Sequence, residues 1–142
     1  MQVFIIGTPL ETAVAMHADK LRYNKQIVEA QQILDALNSK SSWSNHPCTL
    51  QYRGYERWLT NYMYCLMAYR DGDLLLAFNS NKNCVDLTPP FHTQMYFDNM
   101  KSRLYTKNPT LYARFAGCGT SETNLYFVDG EWRKYINGKR IE

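Results

Sequence analysis

A row of apolar side chains runs through the middle of the chain. It begins with Leu50 and, after a step of five residues, continues at intervals of three and four through Tyr55, Trp58, Leu59, Tyr62, Met63, Leu66 and Met67. Because side chains at this spacing share one face of an α-helix, they predict one long helix from Pro47 to Arg70 that supplies much of the core. The same spacing predicts a second amphipathic helix from about Leu21 to Asn38. The chain is therefore expected to be mainly α-helical.

Capping residues followed by proline mark where helices begin. Thr8-Pro9-Leu10-Glu11 has the form of a capping box with proline at the first helical position, and it predicts a helix that ends near Asp19. Lys40-Ser41-Ser42 is typical of a polar linker. After this linker, Asn45 is expected to cap the long helix and Pro47 to lie in its first turn.

The second half of the chain mixes short apolar segments with turn-forming residues. Leu74 to Phe78 is short and apolar, and the polar stretch from Asn79 to Thr88 is predicted to be a loop. Pro89-Pro90 predicts the start of a helix that runs to about Thr106. Asn108-Pro109 repeats the cap-plus-proline signal and predicts a short helix through Phe115.

Extended structure is expected at the two ends of the chain. Met1 to Gly7 is rich in β-branched and aromatic residues, which predicts a strand or an extended arm. Asn124–Val128 and Glu131–Ile136 flank Asp129-Gly130, a pair that favours a two-residue hairpin turn, and Asn137-Gly138 is a further turn. The expected fold is a compact, mainly α, single-domain helical bundle over residues 1–142, with a short N-terminal extended segment and a C-terminal β-hairpin.

The composition is that of a globular protein with a mild positive charge. Hydrophobic residues make up 45% and charged residues 20%, which excludes a disordered chain. The formal net charge of +3 permits phosphate contacts, and the 11 tyrosines suit stacking on a planar ligand. The four cysteines form no C-x-x-C pair, so neither a zinc site nor a disulfide framework is indicated, and we expect no metal or cofactor. Without a signal peptide or a long apolar run, the protein is expected in the cytoplasm, with no membrane partner.

Polar side chains on or beside the predicted helices form three clusters that are candidates for chemistry. The clusters are Asp19, Lys20, Arg22, Lys25, Gln26 and Glu29; Asn45, His46, Arg53 and Glu56; and His92, Asn99, Arg103 and Lys107. In the first cluster, Lys25 and Glu29 are four residues apart and face the same way on their helix. This cluster is either a functional site or a solvated helical face with a weak ion pair.

The second and third clusters have residue types that bind phosphate. His46, Arg53 and Glu56 can share a face of the long helix, where a forked guanidinium and a titratable imidazole can hold a phosphate. In the alternative, His46 only caps the helix and Arg53 pairs with Glu56. Arg103 and Lys107 lie four residues apart, which suits phosphate neutralisation and equally suits an ordinary exposed helix surface.

The order of the motifs carries a family resemblance. Asp19-x-x-Arg22-x-x-Lys25-Gln26-x-x-Glu29, then Trp43-x-Asn45-His46-Pro47 and Tyr52-Arg53-Gly54-Tyr55-Glu56, resembles the pyrimidine-dimer DNA glycosylases (the phage endonuclease V family), in particular the branch that begins Met-Gln-x-Phe. Pro90-Phe91-His92 and Arg103-Leu104-x-x-Lys107-Asn108-Pro109 resemble the closing helices of that branch. The resemblance implies a compact, mostly helical fold that excises a damaged pyrimidine and then cuts the strand at the abasic site.

The resemblance also implies a mechanism. In the best-known members the nucleophile is the α-amine of an N-terminal Thr, uncovered when Met is removed, and a helix carboxylate assists. Attack of the amine on the sugar C1′ gives a Schiff base, so β-elimination can cut the strand without a metal. This chain has Gln2, whose bulk disfavours removal of Met1, in place of that Thr. Leu21-Arg22 occupies the place of the family's helix Glu, so Glu29, further along the same helix, is the nearest acidic substitute and the expected general acid or base.

The sequence is compatible with three functions. The first is a DNA-binding, repair-type glycosylase and abasic-site lyase in which Glu29 is catalytic. Its expected nucleotide- or phosphate-binding residues are Arg22, Lys25, Gln26, Asn45, His46, Arg53, His92, Arg103 and Lys107. The second is a non-catalytic, phage-encoded protein that uses the same pocket in the host cytoplasm to sequester a cyclic or ADP-ribose-type nucleotide signal of host defence. The third is a structural or protein-binding domain whose polar clusters all face solvent.

Overall fold

Six α-helices and a small antiparallel sheet make up most of the fold, which confirms the mainly α class. The structure is a computed structural model and describes residues 2–39 and 43–141. The helices are α1 (Pro9–Met16), α2 (Lys20–Asn38), α3 (Pro47–Gln51), α4 (Glu56–Arg70), α5 (Leu74–Cys84) and α6 (Gln94–Lys107). Two 3₁₀ segments, Val85–Leu87 and Ala113–Cys118, and the strands β1 (Asn124–Val128), β2 (Glu131–Ile136) and β3 (Lys139–Arg140) complete it. The polar linker predicted at 40–42 and Met1 lie outside the described residues.

The first two helices form where the local sequence predicts them. Thr8 caps α1 in a capping box: its hydroxyl accepts the Glu11 N–H at 3.1 Å, and the Glu11 carboxylate accepts the Thr8 N–H at 2.9 Å. This helix ends at Met16, three residues before the predicted Asp19. The amphipathic pattern of α2 buries one face against the core, with Tyr23 among the buried residues.

The long helix predicted from Pro47 to Arg70 is wrong, because the chain turns between α3 and α4. The turn needs the left-handed backbone of Gly54, whose φ is +91°. The cap of α3 is His46 rather than the predicted Asn45: the His46 Nδ1 accepts the Cys48 N–H at 3.1 Å. Both helices pack against the same core, and buried Tyr52, three residues before Tyr55, continues the helical spacing across the turn. Periodicity alone could therefore not reveal the break.

The loop predicted from Asn79 to Thr88 is also wrong, because α5 extends through most of it. Asp73 caps this helix by accepting the Leu76 N–H at 3.1 Å. The asparagine-rich sequence has low helix propensity, but Ala77 and Cys84 are buried. In addition, the Asn81 side chain accepts the Leu10 N–H of α1 at 2.9 Å. Tertiary packing thus overrides the local signal.

The start of α6 and the segment after it also differ from prediction. The helix begins at Gln94 under a Thr93 cap, several residues after the double proline. Asn108 does cap the next turn, since its side chain accepts the Leu111 N–H at 3.0 Å. The helix predicted through Phe115 is instead the 3₁₀ segment Ala113–Cys118, shifted toward the C-terminus.

The C-terminal hairpin is confirmed at its predicted position. Asp129 and Gly130 have φ values of +53° and +77°, as a tight hairpin turn requires, and Asn124 pairs with Tyr135 at the open end. The Asn137-Gly138 turn brings β3 alongside β2, which adds a strand that the sequence did not predict. No helix within the described residues is both long and apolar enough to cross a membrane.

Candidate active site

The N-terminal residues form an extended arm that is buried without belonging to a sheet. Val3, Phe4 and Ile5 are at most 4% exposed. Side chains from two helices satisfy the backbone of Phe4: its N–H donates to Oε1 of Gln26 at 2.6 Å, and its carbonyl accepts the Tyr62 hydroxyl at 3.0 Å. Because buried backbone groups must be paired, these two side chains fix the course of the arm.

The arm brings Gln2 to a carboxylate and a guanidinium. The backbone N–H of Gln2 donates to Oε2 of Glu29 at 3.3 Å. The Gln2 side-chain oxygen accepts a short hydrogen bond from the Arg103 guanidinium, which also lies 5.3 Å from the centre of the Phe4 ring. The arm, α2 and α6 therefore meet at one point.

Glu29 is a buried carboxyl group with little compensation for its charge. It is 7% exposed, and its second oxygen lies 3.9 Å from Nζ of Lys25. Burial raises the pKa of Glu29, while the Gln2 N–H and the Lys25 ammonium act in the opposite direction. A carboxyl group with a raised pKa is suited to giving and taking a proton in a reaction.

Glu29 opens into a cavity of about 670 Å³, which is large enough for a nucleotide. The charged side chains described in its lining are basic Arg22, Lys25, Arg103 and Lys107 and acidic Asp19 and Glu29. The excess of basic groups favours an anionic ligand. The sequence placed these residues in separate clusters, and the fold brings them to one cavity.

Arg22 and Asp19, two of these charged residues, form an ion pair in the lining of the cavity. Arg22 donates to Oδ2 of Asp19 at 2.5 Å, and the Tyr112 hydroxyl donates to the same oxygen at 2.7 Å.

Lys107, at the C-terminal end of α6, is exposed and has no ion-pair partner among the described side chains. Partial burial lowers the pKa of Lys107, and the cations Arg103, Arg22 and Lys25 lower it further.

Two buried polar atoms in the lining have no hydrogen-bond partner among the described residues: Nε of Arg103 and Oδ1 of Asn124. An unpaired buried polar atom typically costs about 1–3 kcal/mol. Arg103 is only 8% exposed, so this donor is held in the wall at an energetic cost. A ligand that accepts from Arg103 or donates to Asn124 would recover part of that cost.

His46 lines the cavity beside the aromatic residues of the sheet. Burial lowers its pKa, so the neutral imidazole is favoured. Since Nδ1 accepts the capping hydrogen bond, the neutral ring carries its proton on Nε2, where it can donate. The ring packs edge-on against Tyr126, at 5.9 Å between centroids.

Aromatic side chains also line the cavity, and no motif in the sequence predicted them. They are Phe4 from the arm and Tyr126 and Tyr135 from the hairpin, the last two with ring centroids 5.5 Å apart and ring planes inclined at 70°. Such rings can stack on a base or present an edge to it. The high tyrosine content was the one signal in the sequence, and it could not say which tyrosines meet.

Gln26 also lines the cavity, but three other predicted binding residues do not. Asn45 and Arg53 are exposed, and Arg53 lies in the turn between α3 and α4, away from the helix face predicted for it. His92 lines a separate cavity of about 240 Å³. Burial lowers its pKa to about 3, and its Nε2 lies 3.0 Å from the Tyr52 hydroxyl, contacts typical of a neutral histidine at the edge of the core.

No group of three potential metal-ligating His, Cys, Asp or Glu side chains occurs in the part of the chain that the structure describes. The family model for pyrimidine dimer DNA glycosylase matches residues 1–69 of the chain. No curated protein and no solved structure matches the chain. The family match confirms the resemblance found in the sequence for the segment that contains the arm, Glu29 and His46. Arg103 and Lys107 lie beyond the matched segment.

Proposed function

Because residues 1–69 match the pyrimidine dimer DNA glycosylase family, we propose that this chain is a DNA repair-type glycosylase and abasic-site lyase that acts on damaged pyrimidines. The observation that carries the proposal is the position of Glu29. A buried carboxyl group meets the backbone N–H of residue 2 inside a basic cavity of nucleotide size. This arrangement supplies a proton carrier where an anionic substrate would bind.

The cavity suits a damaged nucleotide that has left the helix stack. Enzymes that act on a base extrude it into a pocket, and they read it by stacking and by hydrogen bonds to its edge. Here Phe4, Tyr126 and Tyr135 offer aromatic surface, and Asn124 offers an unpaired acceptor. Arg103 and its basic neighbours would hold the flanking phosphates.

The proposed reaction removes the damaged base and then cuts the strand. An unprotonated amine of the protein attacks C1′, and the damaged base leaves with a proton from the Glu29 carboxylic acid. The C1′–O4′ bond then breaks, the ring oxygen takes a proton from the attached nitrogen, and the nitrogen lone pair forms a protonated imine. The resulting imine acidifies the C2′ hydrogen, which the Glu29 carboxylate removes, and the C3′–O bond breaks so that the phosphate departs with the electron pair. Water then hydrolyses the imine. General acid–base catalysis of this kind contributes about 10²–10⁴-fold.

Borohydride trapping tests this proposal. The protein is incubated with labelled duplexes that contain a cyclobutane pyrimidine dimer or an abasic site, and we expect a covalent complex with reductant and strand cleavage without it. Glu29→Gln is expected to lower cleavage about 10²–10⁴-fold. Glu122→Gln is the control, since Glu122 is exposed, and it should cleave like the wild type. A folded wild-type protein that neither traps nor cleaves either duplex would refute the proposal.

A second candidate function is sequestration of a small phosphorylated nucleotide without catalysis. One observation favours it: Arg22 and Arg103 already bind Asp19 and Gln2, so few basic groups remain to contact the many phosphates of a duplex. If all four basic side chains of the cavity each neutralise one DNA phosphate, the slope of log affinity against log salt is about −3.6. A thermal shift with cyclic nucleotides or ADP-ribose, together with no measurable duplex binding at low salt, would favour sequestration.

A further inference from the structure

We propose that Nζ of Lys107 is the amine that attacks C1′. The inference rests on the proposed lyase function and deepens it by naming the nucleophile. It rests on the observation that Lys107, which forms no ion pair with a described carboxylate, lines the same cavity as Glu29, the proposed proton carrier.

Two lysines are among the described residues that line the cavity, and they differ in their partners. Lys25 has a side chain that is 71% exposed, and its Nζ lies 3.9 Å from Oε1 of Glu29. Lys107 forms no ion pair with a described carboxylate. An amine that is already paired with the proton carrier is poorly placed to attack a carbon atom, whereas Lys107 can reach a sugar without first breaking an ion pair.

The surroundings of Lys107 also favour its reactive form. An amine is a nucleophile only when it has lost its proton, and nearby cations promote that loss. Arg22, Lys25 and Arg103 line the same cavity and lower the pKa of Lys107, in addition to the effect of partial burial. The Glu29 carboxylate opposes this shift.

The proposed reaction begins at the C1′ aldehyde of an abasic site. The lone pair of Nζ adds to the C1′ aldehyde, and the carbonyl oxygen leaves as water with one proton from Nζ and one from the Glu29 carboxylic acid, which gives a protonated imine. Glu29 takes the C2′ proton, the C3′–O bond breaks, and the 3′ phosphate leaves with the electron pair. Hydrolysis of the imine releases the unsaturated sugar aldehyde and restores the lysine. No metal, oxidant or reductant enters this sequence.

The test combines trapping with peptide mapping on the full chain. The borohydride-reduced complex with abasic duplex is digested by protease and nuclease, and the residue that carries the sugar is identified by mass spectrometry. Lys107→Arg preserves the positive charge but cannot form the imine, so we expect at least a 100-fold loss of trapping with duplex affinity within about threefold of the wild type. Lys82→Arg, at an exposed position on α5, is the matched control and should trap normally.

The expected result is a sugar remnant on Lys107. A remnant on the N-terminal amine or on Lys25, or undiminished trapping by Lys107→Arg, overturns the assignment of the nucleophile while leaving the lyase function intact. No trapping or cleavage by the folded wild type overturns both. If Lys107→Arg melts well below the wild type, Lys107→Met replaces it, and the peptide map of the wild type decides independently of either variant.

Discussion

Gln26 provides the sharpest test of how the buried arm is held. Its side-chain oxygen accepts the Phe4 N–H at 2.6 Å, and the residue is 1% exposed. Gln26→Leu keeps a side chain of similar size but leaves the Phe4 N–H buried without an acceptor. Such a group costs about 1–3 kcal/mol. With an unfolding entropy of about 2.1 cal/mol/K per residue, this loss corresponds to a decrease in Tm of roughly 3 to 10 °C for a chain of 142 residues.

Thermal unfolding followed by circular dichroism measures this loss, and Gln32→Leu provides the control. Gln32 is exposed on the same helix, so its replacement should change the free energy of unfolding by less than about 0.5 kcal/mol. Because the arm also carries Gln2 to Glu29, we expect Gln26→Leu to weaken borohydride trapping below its melting temperature. Equal melting temperatures for the two variants would show that Gln26 does not anchor the arm.

Three further outcomes follow from the structure. Burial raises the pKa of Glu29 in the folded protein. The ionised carboxylate therefore lowers the free energy of unfolding at high pH, and this destabilisation disappears as the pH falls and the carboxyl group is protonated. Glu29→Gln should therefore melt above the wild type at about pH 8 and level with it at about pH 4; the opposite order in differential scanning calorimetry would contradict a raised pKa. Cys118 is the exposed cysteine, so a thiol reagent should modify it in the native protein and reach the other three, which are buried, only after denaturation. Gly130 has φ +77°, and Gly130→Val should cost about 1–2 kcal/mol in urea denaturation, unlike Gly117→Ala, which meets no neighbour and has no positive φ.

The sequence predicted best where neighbouring residues decide the structure. The capping box of α1, the amphipathic face of α2 and the hairpin turn at Asp129-Gly130 all depend on residues within a few positions of one another. It failed at Gly54 and in α5, where packing against distant residues decides the conformation. A spacing of three and four cannot distinguish one long helix from two consecutive helices that pack against the same core.

The residues of the candidate site fall into the same two groups: some are neighbours on one helix, and others meet only in the tertiary structure. Gln26 and Glu29 lie one turn apart on α2, so the sequence alone places them side by side. Gln26 accepts the Phe4 N–H of the arm, and Glu29, the proposed proton carrier, accepts the Gln2 N–H. Arg103 and Lys107 come from α6, and only the tertiary structure brings them to that carboxyl group. Tyr126 reaches the cavity because the hairpin folds back over α3. Local spacing fixes which residues share a helix face, whereas burial of the core fixes which faces meet, and the chemistry of this cavity depends on both.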